Sequence, residues 1–90
     1  NKYLKPEEVI IAKNIFKILK ETRILIKKNK KQLSILKEQK RKLIACGFSN
    51  VEYFQILTND LKHAKSPYIK SRIFIAARIG SVRLIDNILI

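Results

Sequence analysis

The sequence predicts an α+β fold, a helical hairpin packed on a three-stranded antiparallel β-sheet. Three observations carry that expectation. Apolar residues before Gly47 recur at spacings of three and four, the period of a helix with one buried face. After Gly47 the chain switches to short runs rich in Val, Ile, Tyr and Phe, the composition of strands. Two of those runs are separated only by Gly80-Ser81, a two-residue connection with glycine first, which is the signature of a type II′ hairpin turn.

The first helix is predicted to start at Pro6, whose missing N–H would have no partner in a first turn. Glu7 and Glu8 follow, where the positive helix end favours acids. Lys5 stands where Ser or Thr would cap, so a capping hydrogen bond worth ~1 kcal/mol is forgone. Ile11, Ile15, Ile18, Leu19, Thr22, Leu25 and Ile26 form one stripe, and Lys27, Lys28, Lys30 and Lys31 around Asn29 mark a helix end and a short turn. A second helix is predicted from about Lys31 to Cys46. Its stripe is read as Leu33, Leu36, Leu43 and Ile44, with Lys40 laying its stem along apolar neighbours. Gly47 stops it, because glycine takes a positive φ without cost.

Strands are predicted at Val51–Leu57, Arg72–Ile79 and Val82–Ile88, with Thr58–Ser66 and Pro67 forming a polar connection. The turn sets the register: Ile79 opposite Val82, Arg78 opposite Arg83, Ala77 opposite Leu84, Ala76 opposite Ile85 and Ile75 opposite Asp86. Two guanidiniums directly opposite each other repel, so something anionic, or water, is expected between them.

Ninety residues fit one domain, against a usual prior of about 100–200, and exclude an enzyme with a cleft between two domains. The formal net charge is +13 and the charged fraction 30%, within a globular composition. A basic excess points to nucleic acid or an anionic surface. Here, however, 15 Lys outnumber 5 Arg, alongside 16 Ile and 6 Asn, a bias that AT-rich codons produce on their own. Lys13, Lys17 and Lys20 form a stripe that any solvated helix face would also show. No helix-turn-helix spacing, zinc pattern or RNP-like aromatic motif accompanies it. A small basic nucleic-acid-binding domain is the alternative function, and a structural or protein-interaction module a third. Single Cys46 allows no internal disulfide and fits a reducing cytoplasm. Lys42, one turn away, is expected to lower the thiol's pKa slightly. His63 has no ligand partner at metal spacing, and no metal or nucleophilic site is expected. Tyr3, Tyr53, Phe54 and Tyr68 are the candidates for stacking on bases; against that reading, Tyr53 or Phe54 is expected in the core and Tyr3 packed at a domain hinge. No run approaches the ~20 apolar residues that span a bilayer. The absence of Met suggests a chain cut or processed from a longer one.

One stretch carries a resemblance. Ala76-Ala77-Arg78-Ile79-Gly80-Ser81-Val82-Arg83-Leu84-Ile85-Asp86-Asn87 resembles the A-x-R-x-G-x-x-R-L-I-D-N run that closes the pantoate–β-alanine ligases (pantothenate synthetases). Asn1-Lys2-Tyr3-Leu4 followed by Glu7-Glu8 is similar to that family's N-x-Y-L-x-x-E-E approach to its C-terminal domain, and Gly47-Phe48 with Val51-Glu52-Tyr53 is similar to its "GF…VDY" strand. The resemblance implies an enzyme that joins pantoate to β-alanine with ATP, through a pantoyl-adenylate, giving pantothenate, AMP and pyrophosphate. It implies magnesium, a cytoplasmic homodimer, and an N-terminal Rossmann-like domain with an H-x-G-H motif that this chain does not contain. Residues 1–90 would then be the C-terminal lid, with no catalytic residue of their own and no cofactor held alone. Asn1, the last residue of a phosphate-contacting S-S-R-N motif, Arg78 and Arg83 are the nucleotide-facing candidates. Asn1, Tyr3 and Leu4 are the hinge candidates. Set against this, Arg78 and Arg83 are also readable as a surface pair, with Arg83 bridged to Asp86, and Asp86-Asn87 as residues that satisfy a turn or touch substrate.

Overall fold

The computed structural model describes residues 4–28, 31–58 and 71–90. Three helices, α1 (Pro6–Ala12), α2 (Asn14–Lys28) and α3 (Gln32–Ala45), precede three strands, β1 (Asn50–Thr58), β2 (Ser71–Ile79) and β3 (Val82–Leu89). The strands form one antiparallel sheet in the order β1-β2-β3. The helices cover one face of it, α2 against β3, α3 against β1 and α1 against β2. The predicted α+β hairpin-on-sheet architecture is therefore the observed one.

The expected single first helix is interrupted at Lys13. Its ψ of −23° is tighter than α-helical, and the Asn14 side-chain amide lies 3.5 Å from the Ile10 carbonyl, competing for a helical acceptor. The stripe survives the break: Ile15, Ile18, Leu19, Thr22 and Ile26 are buried and Ile11 half-buried. The Lys5 side chain makes no capping bond. Glu8 compensates by accepting the Lys5 N–H at 3.0 Å, one half of a capping box.

The face assigned to the second helix needs correction. Leu33 is 84% exposed and Ile44 45% exposed. The buried positions are Ile35, Gln39 and Leu43, spaced by four, with Leu36 half-buried. Lys40 is exposed and lines a surface cleft together with Leu36. Gln39 is tolerated inside because α2 supplies partners: its amide donates to Thr22 Oγ1 at 3.2 Å and to Glu21 Oε1 at 3.0 Å. Thr22 in turn donates to the Ile18 carbonyl at 2.7 Å. Lys42 closes the group on Glu21 at 2.7 Å, and the Lys42 and Gln39 hydrogen bonds hold the Glu21 carboxyl below its ordinary pKa.

The helix ends as predicted at Gly47, with φ +125°. The N–H of Phe48 reaches the Leu43 carbonyl and that of Gly47 the Ile44 carbonyl, both at 3.2 Å, the paired bonds of a Schellman motif. Phe48 is then buried in the core, as that motif's apolar contact requires. A Cβ on Gly47 would stand 2.7 Å from Ile11 Cδ1, so glycine is required here by space as well as by φ.

The β2–β3 register matches the expected pairs from Ile79–Val82 to Ile75–Asp86. Gly80 takes φ +57°, which the first position of such a turn demands. Ile73, Ile75, Ala77 and Ile79 of β2 point into the core with Val51, Ile56, Leu84 and Ile88. The connection predicted at Thr58–Ser66 and Pro67 lies outside the described residues beyond Thr58, which is the last residue of β1.

Candidate anion-binding surface

β1 does not alternate strictly. Val51 pairs with Ala77 and Tyr53 with Ala76, so Glu52 is one residue more than the ladder accommodates. This β-bulge keeps Val51 and Ile56 inward while placing Glu52 beside the outward arginines of the hairpin. The Nε–H groups of Arg78 and Arg83 donate to the two oxygens of Glu52, each at 2.6 Å. The anionic group expected between the arginines is thus Glu52. Hydrogen bonds from Arg83 first, then Arg78, hold its carboxyl below the usual range, and the Glu52 bond pushes the Arg83 guanidinium up. Tyr53 also lies against Arg83.

Arg83 pairs with Glu52 and not with Asp86, because Asp86 stands opposite Ile75, two positions along from Leu84 on the helix-covered face. Asp86 accepts the N–H of Asn87, and the Asn87 carbonyl oxygen accepts from Arg72 across the sheet at 2.8 Å. These two residues sit within β3 rather than in a turn.

Of the hinge candidates, Leu4 is half-buried against the core, whereas Asn1 and Tyr3 lie outside the described residues, as do His63 and Tyr68. The first turn of α1 abuts the hairpin tip: a Cβ on Gly80 would stand 3.1 Å from the Glu8 carboxylate. The chain therefore enters the fold at the end of the sheet that carries Arg78 and Arg83. Cys46 is half-buried, and burial raises its pKa, contrary to the expected lowering by Lys42, whose charge is engaged with Glu21.

Sequence reasoning did not find the cleft between α3 and β1. It encloses about 250 Å³ and is lined by Leu36, Lys37, Lys40, Val51, Glu52, Tyr53 and Phe54. A second hollow of about 450 Å³ continues along α3 past Lys37, Lys40, Arg41, Ile44 and Ala45. Among the described residues, no three His, Cys, Asp or Glu gather as a metal site would require. Among the described residues, no helix is long and apolar enough to cross a membrane.

Helices, sheet and arginine pair together define a small α+β module. The chain belongs to the pantoate-beta-alanine ligase family, whose pattern matches residues 1–89. It is 32% identical over its whole length to the pantothenate synthetase of Syntrophomonas wolfei, and 30% identical to that of Thermosipho africanus. A third, from Nitrosospira multiformis, is 30% identical over 98% of the chain. The chain spans about a third of the length of each, 33%, 33% and 32%.

Proposed function

We propose that this chain is the C-terminal lid of an ATP-dependent ligase that joins pantoate and β-alanine through a pantoyl-adenylate, releasing AMP and pyrophosphate. The observation that carries the reading is the family match along residues 1–89, in a chain a third as long as its relatives. The partner surface is the protein's own N-terminal catalytic domain, and the whole protein is a cytoplasmic homodimer.

The lid's work is physical rather than covalent. Closure excludes water, which would otherwise hydrolyse the adenylate. Arg78 and Arg83 offset the negative charge that accumulates on the departing pyrophosphate. Each gives its Nε–H to Glu52, and the terminal N–H groups of the guanidiniums are the donors that would meet phosphate oxygens. Asn1 is assigned to the nucleotide side, and Asn1, Tyr3 and Leu4 to the hinge. Magnesium accompanies the nucleotide in such a reaction. Glu52, the one carboxylate of the cluster among the described residues, is engaged by two guanidiniums, so these residues do not fit a magnesium site and no step here runs through one.

The test is AMP release from ATP by the full-length protein, with and without each acid and amine substrate. Release that requires pantoate and rises with β-alanine supports the reading; release indifferent to both overturns it. Arg83→Ala is expected to raise the KM for ATP or lower kcat without unfolding the protein. An unchanged rate makes the arginine pair purely structural.

A further inference from the structure

The cations of α3 divide into two groups. Arg41 pairs with Glu38 at 3.3 Å and Lys42 with Glu21 at 2.7 Å, so their charge is compensated locally. Lys37 and Lys40, which line the α3–β1 cleft, pair with no described residue. The cleft's other side is β1, an edge strand among the described residues, at the bulge that carries Glu52. Glu52 belongs both to the cleft and to the arginine cluster. The Glu52 carboxylate is taken up by Arg78 and Arg83 on the open side of the sheet, so the two lysine charges on the helix side have no counter-ion among the described residues. Leu36, Val51 and Phe54 give the cleft apolar walls, and low-dielectric walls around charge of one sign focus the field on whatever enters.

We propose that the α3–β1 cleft binds a multiply charged phosphate, with Lys37 and Lys40 meeting its charge and thereby acting as specificity-determining residues for the nucleotide of the ligase reaction. A singly charged carboxylate would leave one of the two lysine charges unmet, while a pyrophosphate group meets both. The assignment of that phosphate to the nucleotide rests on the ligase reading; the charge imbalance of the cleft does not.

The test uses the full-length protein and inorganic pyrophosphate, with binding followed by calorimetry between about 50 and 200 mM salt. The double variant Lys37→Gln, Lys40→Gln is expected to weaken binding about five- to tenfold at the lower salt and to flatten the salt dependence. Its KM for ATP should rise by a similar factor, with kcat within about twofold of wild type. Lys20→Gln, on α2 beside Phe16 and not among the residues lining the cleft, is the control and should change neither. An unchanged affinity and slope in the double variant overturns the proposal. If Arg83→Ala weakens binding in that case, the lid reading stands and only the cleft falls; if no variant has an effect, both fall.

Discussion

Glu52 is exposed enough to meet solvent, yet each of its oxygens is committed to a guanidinium. Because its folded pKa is depressed, its contribution to stability is complete above the ordinary carboxylate value of ~4.3 and is lost as pH falls through the lowered one. Thermal melts should therefore place Glu52→Gln below wild type at neutral pH and bring the two together in acid. A gap that persists at the acid end would mean the residue acts through packing and not through its charge. Gln39 makes the opposite case, a polar residue in the interior. Gln39→Ala should cost about 1–3 kcal/mol in denaturant unfolding, since it opens a cavity and strips Thr22 of an internal partner. Gly47→Ala should cost more than 1 kcal/mol, as the new methyl meets Ile11 while φ stays positive.

At the scale of elements, what was legible in the sequence depended on whether a rule was local. The hairpin register follows from a two-residue turn, so the sequence alone sets Arg78 opposite Arg83. The helix stop at Gly47 follows from one residue's backbone freedom. The buried face of α3 does not follow locally. Leucine outranks glutamine on hydropathy, and only the presence of Thr22 and Glu21 across the interface makes Gln39 the inward residue. The bulge at Glu52 is likewise decided by neighbours distant in sequence, and the candidate surface was legible only in its arginine half. The corrected face carries its own prediction: Leu33→Ser should change stability by less than about 0.5 kcal/mol, whereas Leu43→Ala should cost about 2–5 kcal/mol. Equal effects for the two would return the predicted stripe.

For the molecule as a whole, the helices take one face of the sheet and leave the arginine cluster on the other side of the strands, near the point where the chain enters. The bulge that presents this cluster also makes β1 longer by one residue than its pairing uses. Removing Glu52 outright would leave Val51 opposite Ala77 and Tyr53 opposite Ala76, with every later pair unchanged. Removing another residue from the middle of the strand would turn all the side chains on one side of it to the opposite face. Position 52 is thus the place in β1 where the chain tolerates a change of length. A protein lacking only that residue should keep its core while its two arginines lose their shared anion, so length variation at this point would alter the charged surface without rebuilding the fold.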